Sequence, residues 1–162
     1  ILEKMNRGYI AADFKKIVST FREAFPGLQL WTDVIAGFPG ESKTDFLATV
    51  ELLKDIRPDF VNISKYGVRD STASAKMKQL PTEIKKERSR TITRLVEEMS
   101  LEKNKEWLGW KGDVLITEKK ENAWLGRNFA YKPIIVNSDK ELLGKVVKAK
   151  IVDANLTGEI CQ

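Results

Sequence analysis

A chain of 162 residues, of which 42% are hydrophobic and 31% are charged, has the composition of a globular protein with room for one or two domains. It contains no histidine and one cysteine, Cys161, which excludes an internal disulfide framework and argues against a zinc enzyme or a hydrolase with a histidine base. The formal net charge of +5 permits a polyanionic partner. Because no apolar run is long enough to span a membrane, we expect a cytoplasmic protein with no membrane partner.

The first half of the sequence predicts helices and strands in alternation. Apolar residues recur at intervals of three and four from 12 to 25, which is typical of an amphipathic helix. A β-branched apolar run over 28–36 predicts a buried strand. Ser42 then caps a second helix, and a second strand is predicted over 60–66. A strand, a helix and a strand in this order form a βαβ unit, so we expect the two strands to be parallel.

A long third helix is predicted from Thr82 to about Trp107. Its inner face is marked by apolar residues at helical spacing together with Arg88, whose aliphatic stem we expect to be buried while its guanidinium reaches solvent. Its outer face carries four basic side chains: Lys85, Lys86, Arg90 and Arg94. A run of charge is usually a solvated helix face, but it can also follow the phosphates of a nucleic acid.

The sequence changes character near Gly109 and becomes rich in short β segments. Strands are predicted over five segments: 114–117, 124–127, 133–136, 144–153 and 158–161. Five short strands in about 50 residues indicate a small antiparallel barrel. We therefore place a domain boundary at 104–110, with an α/β domain over 1–106 and the barrel over 107–162.

The α/β domain has only two predicted strands, which leaves open sheet edges and little core. Parallel sheets normally have several strands and both faces covered. The expected fold class is therefore α/β, a partial (β/α) barrel of two parallel strands and three helices followed by the small β-barrel. We expect the open edges to be covered by a missing N-terminal part of the same chain or by self-association with a second copy.

The segment Thr32–Glu41 is the first place to look for a site. It is an apolar run that closes on Gly-Phe-Pro-Gly, and ligands of α/β sheets lie at the carboxyl ends of strands. Gly37 and Gly40 let the backbone turn sharply or let a ligand approach it. The alternative is an ordinary strand-to-helix turn, and the pattern alone does not decide between the two.

Six blocks of sequence carry a family resemblance. They are Met5–Tyr9, Thr32–Glu41, Asn62–Tyr66, Arg69–Ala75, Lys86–Arg90 and Asn128–Pro133. In this order they resemble the radical-SAM methylthiotransferases, in particular the branch that modifies tRNA, and the last two blocks are most similar to its archaeal and eukaryotic subgroup. The sequence departs from that family in two respects. Asp70 and Ser71 stand where a Pro-Gly pair is usual, and the cluster-binding Cys-x-x-x-Cys-x-x-Cys is absent.

The resemblance implies a parent enzyme with an N-terminal domain, a central radical-SAM barrel and a C-terminal TRAM domain, an OB-like barrel that binds RNA. Such an enzyme adds a methylthio group at carbon-2 of a hypermodified adenosine in the tRNA anticodon stem-loop, here threonylcarbamoyladenosine, with S-adenosylmethionine and two 4Fe-4S clusters. The sequence would be a C-terminal fragment of it. Because the cluster cysteines are absent, we expect the fragment to be inactive alone, with no catalytic residue, metal ligand or bound cofactor.

The resemblance also implies contacts to S-adenosylmethionine at the ends of the two strands. The strand that closes on Gly37 would pack against the adenine, and Glu41 would orient the site by hydrogen bonds. The cofactor-binding residues expected are Arg7, Asp33, Ile35, Gly37, Glu41, Ser64 and Arg69. Alternatives stay open, because an isoleucine on a buried strand is commonly a core residue and an arginine is commonly a surface residue.

The expected RNA-binding residues lie on the third helix and in the barrel. In the barrel, aromatic residues (among them Phe129) and cationic residues interleave over 124–132, a pattern that suits base stacking and phosphate contacts. The set comprises Lys85, Lys86, Arg90, Arg94, Trp124, Arg127, Tyr131 and Lys132. Some of the aromatic residues must fill the small core instead, and the sequence does not say which.

Two other functions compete with this hypothesis. One is a stand-alone, non-catalytic RNA-binding module formed by the barrel and the basic helix. The other is a fragment of a methylthiotransferase that acts on a ribosomal protein. The basic helix and the mixed aromatic and cationic residues of the barrel favour RNA over protein.

Overall fold

The computed structural model describes residues 1–155 and 159–161. Internal contacts divide the chain into two compact units, Ile1–Val96 and Glu97–Gln162. The helices are α1 (Ala11–Ala24), α2 (Lys43–Ile56) and α3 (Thr82–Lys105), with a short 3-10 helix at Ala73–Lys76. The strands are β1 (Trp31–Ala36), β2 (Phe60–Lys65), β3 (Lys111–Lys119), β4 (Trp124–Arg127), β5 (Pro133–Val136), β6 (Val146–Ala154) and β7 (Glu159–Cys161).

In the first unit β1 and β2 form a parallel pair, which confirms the predicted βαβ arrangement. β1 begins at Trp31 and not at Leu28, because the chain before it is held by a side chain. The Leu30 N–H donates to the Asp59 carboxylate at 2.8 Å, and the Leu30 carbonyl accepts from the backbone N–H groups of Asp59 and Phe60. Asp59 therefore fixes the starting register of both strands.

α2 begins where the sequence predicts it. The Ser42 hydroxyl accepts from the Asp45 N–H at 3.0 Å, and the Asp45 carboxylate accepts from the Ser42 N–H at 2.8 Å, which is a capping box. The hydrogen bonds that the Ser42 hydroxyl and N–H donate hold the pKa of Asp45 below its ordinary value. At the other end Arg57 takes a left-handed conformation with φ 41°, which terminates the helix.

α1 forms as the apolar spacing predicts, but much of its apolar face is exposed. Val18 is buried, whereas Ile17, Phe21 and Phe25 are each more than half exposed. The rings of Phe21 and Phe25 stack on one another, with their centroids 6.3 Å apart. Periodicity therefore predicts the helix correctly and its burial incorrectly.

In the second unit five strands close into a barrel in the order β3-β4-β5-β7-β6, with β6 returning to β3. This order confirms the predicted small OB-like barrel, in which four of the five neighbouring pairs are antiparallel. β5 and β7 run parallel, and the other pairs are antiparallel. A closed ring with an odd number of strands cannot alternate direction all the way round, so at least one neighbouring pair must be parallel.

The barrel interior is filled by alternate residues of its strands. The buried core comprises Val114, Ile116, Trp124, Ile134, Ala149 and Ile151. Gly126 on β4 faces this interior, and a Cβ at that position would stand 2.3 Å from Val114 Cγ1 and 2.9 Å from the Leu115 carbonyl oxygen. The absence of a side chain at position 126 is what lets β3 and β4 approach at this point.

Gly126→Ala should therefore destabilise the barrel. Its neighbours are a β-branched side chain and a backbone carbonyl, which cannot move aside cheaply, so we expect a loss of about 1–3 kcal/mol in the free energy of unfolding. Gly67→Ala is the matched control, because a Cβ there would meet no atom within 4 Å. Urea denaturation followed by circular dichroism measures both. Equal stability of the two variants would contradict the tight contact between β3 and β4.

Candidate functional site

A groove opens at the carboxyl ends of β1 and β2 in the first unit. Its volume is about 940 Å³. It is lined by the opening segment, the two strands and the loop after β2: residues 4–7, 33–35, 38, 62, 64–69 and 72–74. Ligand pockets for small molecules typically fall between about 300 and 1,000 Å³, and in α/β folds they lie at this end of the strands.

Five of the seven predicted cofactor-binding residues line this groove. They are Arg7, Asp33, Ile35, Ser64 and Arg69. The β1–β2 register explains part of this convergence, because it pairs Asp33 with Asn62 and Ile35 with Ser64. The Asn62 side-chain amide donates to Asp33 Oδ1 at 2.8 Å, which fixes the carboxylate at the groove wall. The groove therefore combines apolar wall with carboxylate, amide, hydroxyl and guanidinium groups.

Gly37 is not part of the groove lining. It has φ +79°, and a Cβ on it would stand 2.6 Å from Lys85 Cγ. Lys85 lies on α3, so the missing side chain lets α3 approach the turn. The expectation that Gly37 leaves room for a flat ligand ring is wrong on the side where a Cβ would stand, because Lys85 fills that space.

Glu41 also lies away from the groove, buried at 7% exposure. Its carboxylate accepts from the Gly37 N–H at 2.9 Å and from the Arg88 guanidinium. Arg88 donates a second hydrogen bond to the Glu41 carbonyl at 3.0 Å and stands over the Phe46 ring at 5.2 Å. Glu41 thus stabilises the turn after β1 without lining the groove.

The prediction that the Arg88 guanidinium reaches solvent is wrong. The side chain is 10% exposed, and its partner Glu41 is 5% exposed. A guanidinium leaves water when a carboxylate and a carbonyl are both in reach, because paired and hydrogen-bonded charges can be buried. Helical spacing placed Arg88 on the inner face but did not identify a partner 47 residues earlier in the chain.

Removing one partner of this pair should be costly. Arg88→Ala leaves a buried carboxylate without its cation, so we expect a loss of about 3–5 kcal/mol in the free energy of unfolding. The double variant Glu41→Gln/Arg88→Met removes both charges and should recover much of that loss. Lys54→Ala is the control, since it breaks only the exposed Lys54–Glu51 pair and should cost at most about 1 kcal/mol.

Denaturant unfolding of the three variants provides the measurement. A double variant that is as unstable as Arg88→Ala would contradict the claim that an uncompensated charge is the cause.

The basic residues predicted on α3 fall into two groups. Lys85 is half-buried, donates to the Tyr66 carbonyl at 3.3 Å and lies 5.0 Å from the centre of the Tyr66 ring. Lys86 pairs with Glu83 at 3.0 Å. Arg90 and Arg94 are exposed. Arg90 and Arg94 therefore present their charge to solvent, whereas the Lys86 side chain, 42% exposed, does so within an ion pair.

Two of the RNA-binding residues predicted in the barrel are not on its surface. Trp124 is 4% exposed, belongs to the core and donates from Nε1 to the Ser138 carbonyl at 3.1 Å. Lys132 is 3% exposed, and its Nζ donates to Asn104 Oδ1 at 2.5 Å. The prediction of a surface role for these two side chains is wrong, because the Trp124 ring is buried in the core and Asn104 at the end of α3 accepts from the Lys132 ammonium.

Arg127 and Tyr131 do reach the surface. Tyr131 is 62% exposed, and the Arg127 guanidinium lies 4.7 Å from the centre of its ring. Arg127 Nη1 also donates to the Tyr131 carbonyl at 3.3 Å. The pair presents a ring and a cation side by side, an arrangement suited to a base and its phosphate.

A cluster of three aromatic rings was missed in the sequence. The ring centroids of Trp107, Trp110 and Phe129 lie 5.9–6.3 Å from one another. Phe129 is 77% exposed. The sequence signal for this cluster is the Trp-x-x-Trp spacing directly before the first barrel strand, which the helix predicted to about Trp107 does not explain.

Within residues 1–155 and 159–161, no group of three or more histidine, cysteine, aspartate or glutamate side chains is placed to hold a metal ion. In the same described ranges, no helix is both long and apolar enough to cross a membrane.

Curated proteins match the chain along nearly its whole length, although no protein-family model does. It is 44% identical over 164 residues to a probable threonylcarbamoyladenosine tRNA methylthiotransferase of Pyrococcus horikoshii, with 99% of this chain and 38% of the relative covered. A protein of the same name from Archaeoglobus fulgidus is 39% identical over 157 residues, covering 94% and 36%. A tRNA-2-methylthio-N(6)-dimethylallyladenosine synthase of Clostridium botulinum is 37% identical over 166 residues, covering 98% and 37%.

The fold defines a two-part protein, an α/β unit with a groove at its strand ends and an OB-like barrel. The chain belongs to the methylthiotransferase family. It spans less than two fifths of the length of the curated relatives described above.

Proposed function

We propose that this chain is part of a tRNA methylthiotransferase that adds a methylthio group at carbon-2 of threonylcarbamoyladenosine, the hypermodified adenosine beside the anticodon. Two archaeal relatives that carry the name of this activity support the proposal, at 44% and 39% identity over most of the chain. The chain would supply part of the wall of the S-adenosylmethionine site and an RNA-binding barrel.

The groove at the ends of β1 and β2 is the observation that carries the proposal. S-adenosylmethionine has an adenine ring, a ribose and a charged amino-acid end, so its site needs apolar wall and polar groups together. Val34, Ile35 and Phe38 give the groove apolar wall, while Asp33 and Ser64 add a carboxylate and a hydroxyl. The volume of about 940 Å³ is also sufficient for a ligand of this size.

Arginine side chains at the groove suit the charged end of the ligand. Arg7 and Arg69 both line the groove, and a guanidinium can pair with a carboxylate through two parallel hydrogen bonds. When bound, S-adenosylmethionine supplies the radical and, as a second molecule, the methyl group. The residues of this chain bind and orient it.

Iron–sulfur clusters do not fit the residues of this chain. Such clusters are held by several cysteine thiolates, and the sequence has Cys161 alone. We therefore assign no cluster ligand here and propose that the two 4Fe-4S clusters are held by other parts of the parent protein.

RNA contacts are proposed for residues of both units whose side chains reach solvent. Arg90 and Arg94 would contact phosphates from α3, and Arg127 with Tyr131 would contact a nucleotide at the barrel. The stem-loop of the tRNA anticodon is the proposed partner.

A chimera tests the activity. We would replace the matched segment of the Pyrococcus horikoshii relative with the present chain, reconstitute its clusters, and analyse tRNA nucleosides by mass spectrometry. We expect 2-methylthio-threonylcarbamoyladenosine to form, because this chain would complete the cofactor site and the RNA site. A chimera that folds, carries its clusters and binds tRNA but leaves the nucleoside unmodified would contradict the proposal.

The RNA contacts make a separate prediction on the full chain. Arg90→Ala, Arg94→Ala and Arg127→Ala should each weaken binding of an anticodon stem-loop at low salt and reduce the slope of log affinity against log salt by about one unit. Tyr131→Ala should weaken binding by about 1–3 kcal/mol with little change in slope, since stacking releases no counterions.

Fluorescence anisotropy at several salt concentrations measures both quantities, and Lys54→Ala on α2 is the control for an unspecific loss of charge. Slopes that stay at the parent value in all three arginine variants would remove these residues from the RNA surface.

A further inference from the structure

We propose that Trp107, Trp110 and Phe129 form a stacking platform for an unpaired base of the bound RNA. The proposal rests on the proposed function, because it takes tRNA as the ligand, and it adds a site that the sequence pattern did not identify. The three residues, called the aromatic platform below, all belong to the second unit.

The geometry of the platform is that of a partly open ring cluster. Trp107 and Trp110 meet nearly edge to face, with centroids 5.9 Å apart and planes at 65°. Phe129 lies 6.1 Å from Trp107 and 6.3 Å from Trp110, tilted against both. Within this cluster the Phe129 ring remains 77% exposed. Because Phe129 contacts both tryptophans, the three rings form one contiguous aromatic patch that reaches the surface, and such patches mark interaction surfaces.

The two tryptophan rings of the platform are held in place by packing. Trp107 and Trp110 pack against the barrel core, and the Trp110 ring lies so close to Gly112 that a Cβ there would stand 2.4 Å from it. The backbone of Trp110 is held as well, because its carbonyl accepts from the Ile151 N–H at 2.9 Å. Binding of a base therefore requires little ordering of these two rings, which lowers its entropic cost.

The turn that carries Phe129 is fixed by buried polar groups. Asn128 Oδ1 accepts from the Ala130 N–H at 3.1 Å and from the Lys132 N–H at 3.0 Å. Lys132 in turn bonds Asn104 on α3, and the Asn104 amide donates to the Asn155 carbonyl at 2.6 Å. Asn104 precedes Trp107 by one helical turn, so this network joins the turn to the chain segment that carries the first platform ring.

A strained residue next to Phe129 supports a functional turn. Tyr131 adopts φ +62°, a left-handed conformation that is uncommon for a bulky side chain. Strain of this kind clusters at ligand-binding segments, where the surrounding structure enforces it. Here it lets Phe129 and Tyr131, two residues apart, both stand exposed on one short turn.

The chemistry of the surroundings favours a nucleotide as the occupant. Lys111 directly follows Trp110 and is the cross-strand partner of Lys150, and both lysines are exposed. The strand pair that begins directly after Trp110 therefore offers two exposed ammonium groups, which suit the phosphates of a nucleotide whose base stacks on the rings. Over the second unit, 97–162, acidic residues equal lysines and arginines in number, so this unit as a whole offers no general attraction for polyanions. We therefore expect stacking to contribute more here than charge.

The first experiment compares ring removal with ring replacement in the full chain. Phe129→Ala should weaken binding of single-stranded oligoadenylate and of the anticodon stem-loop by roughly 5- to 150-fold, the effect of losing one base stack. Phe129→Trp should bind as tightly as the parent, because it keeps a ring. A fully paired RNA duplex, which offers no splayed base, should bind all three proteins equally. Circular dichroism checks that the variants are folded, as exposure of Phe129 predicts.

The second experiment locates the base by fluorescence. A stacked base quenches tryptophan emission, so oligoadenylate should quench the parent chain. In Trp107→Phe/Trp110→Phe the stacking rings remain and the two emitters are gone, so affinity should be largely kept while the quench is lost. Trp31→Phe, which removes a tryptophan of the first unit, should leave the quench in place.

The outcomes separate the platform from the proposed function. If Phe129→Ala binds oligoadenylate and the stem-loop as tightly as the parent, the platform is wrong while a tRNA role for the chain stands. If the parent chain binds neither RNA, both the platform and the proposed RNA-binding role of the barrel fail. If Phe129→Ala instead abolishes a dimer seen by sedimentation without affecting RNA affinity, the rings contact a second copy and the platform is overturned.

Discussion

The Glu41 carboxylate lies in the interior of the first unit, where it receives hydrogen bonds from the Gly37 N–H and the Arg88 guanidinium. A carboxylate at this burial is tolerated only while its cation is in place. The turn after β1 therefore has its shape only when α3 supplies Arg88 and when Lys85 fills the space beside Gly37. Phe38 in that turn lines the groove, so the shape of the groove depends on a buried ion pair whose two residues do not line it.

In the second unit, closure of the barrel constrains the directions of the strands. Five strands in a ring require a parallel pair, and the order β3-β4-β5-β7-β6 meets this requirement with β5 and β7. The small barrel leaves little room for side chains, so Trp124 fills the core and the aromatic residues of the β4–β5 turn remain outside. The buried Lys132 side chain donates to Asn104, and this hydrogen bond stabilises the turn. β4 and the turn that follows it therefore both fill the barrel core and carry the exposed aromatic residues.

The sequence predicted the elements well where local signals are strong. Ser42 with Asp45 placed the start of α2, and the βαβ order gave the parallel pairing of β1 with β2. It also brought five groove residues together through the rule that ligands lie at strand ends. The sequence could not predict side-chain burial and contacts that depend on partners distant in the chain. The burial of Arg88 needs Glu41, that of Lys132 needs Asn104, and the three-ring cluster needs Phe129 to meet Trp107.

The central claim is that the groove at the ends of β1 and β2 forms part of an S-adenosylmethionine site. The most direct measurement is the KM for S-adenosylmethionine of the Pyrococcus chimera carrying Asp33→Ala or Ser64→Ala, with Lys54→Ala as the control. Because Asp33 and Ser64 line the groove and Lys54 does not, we expect a KM raised several-fold or more in the first two variants and unchanged in the control. Parent KM values in both groove variants, with the chimera otherwise active, would contradict it.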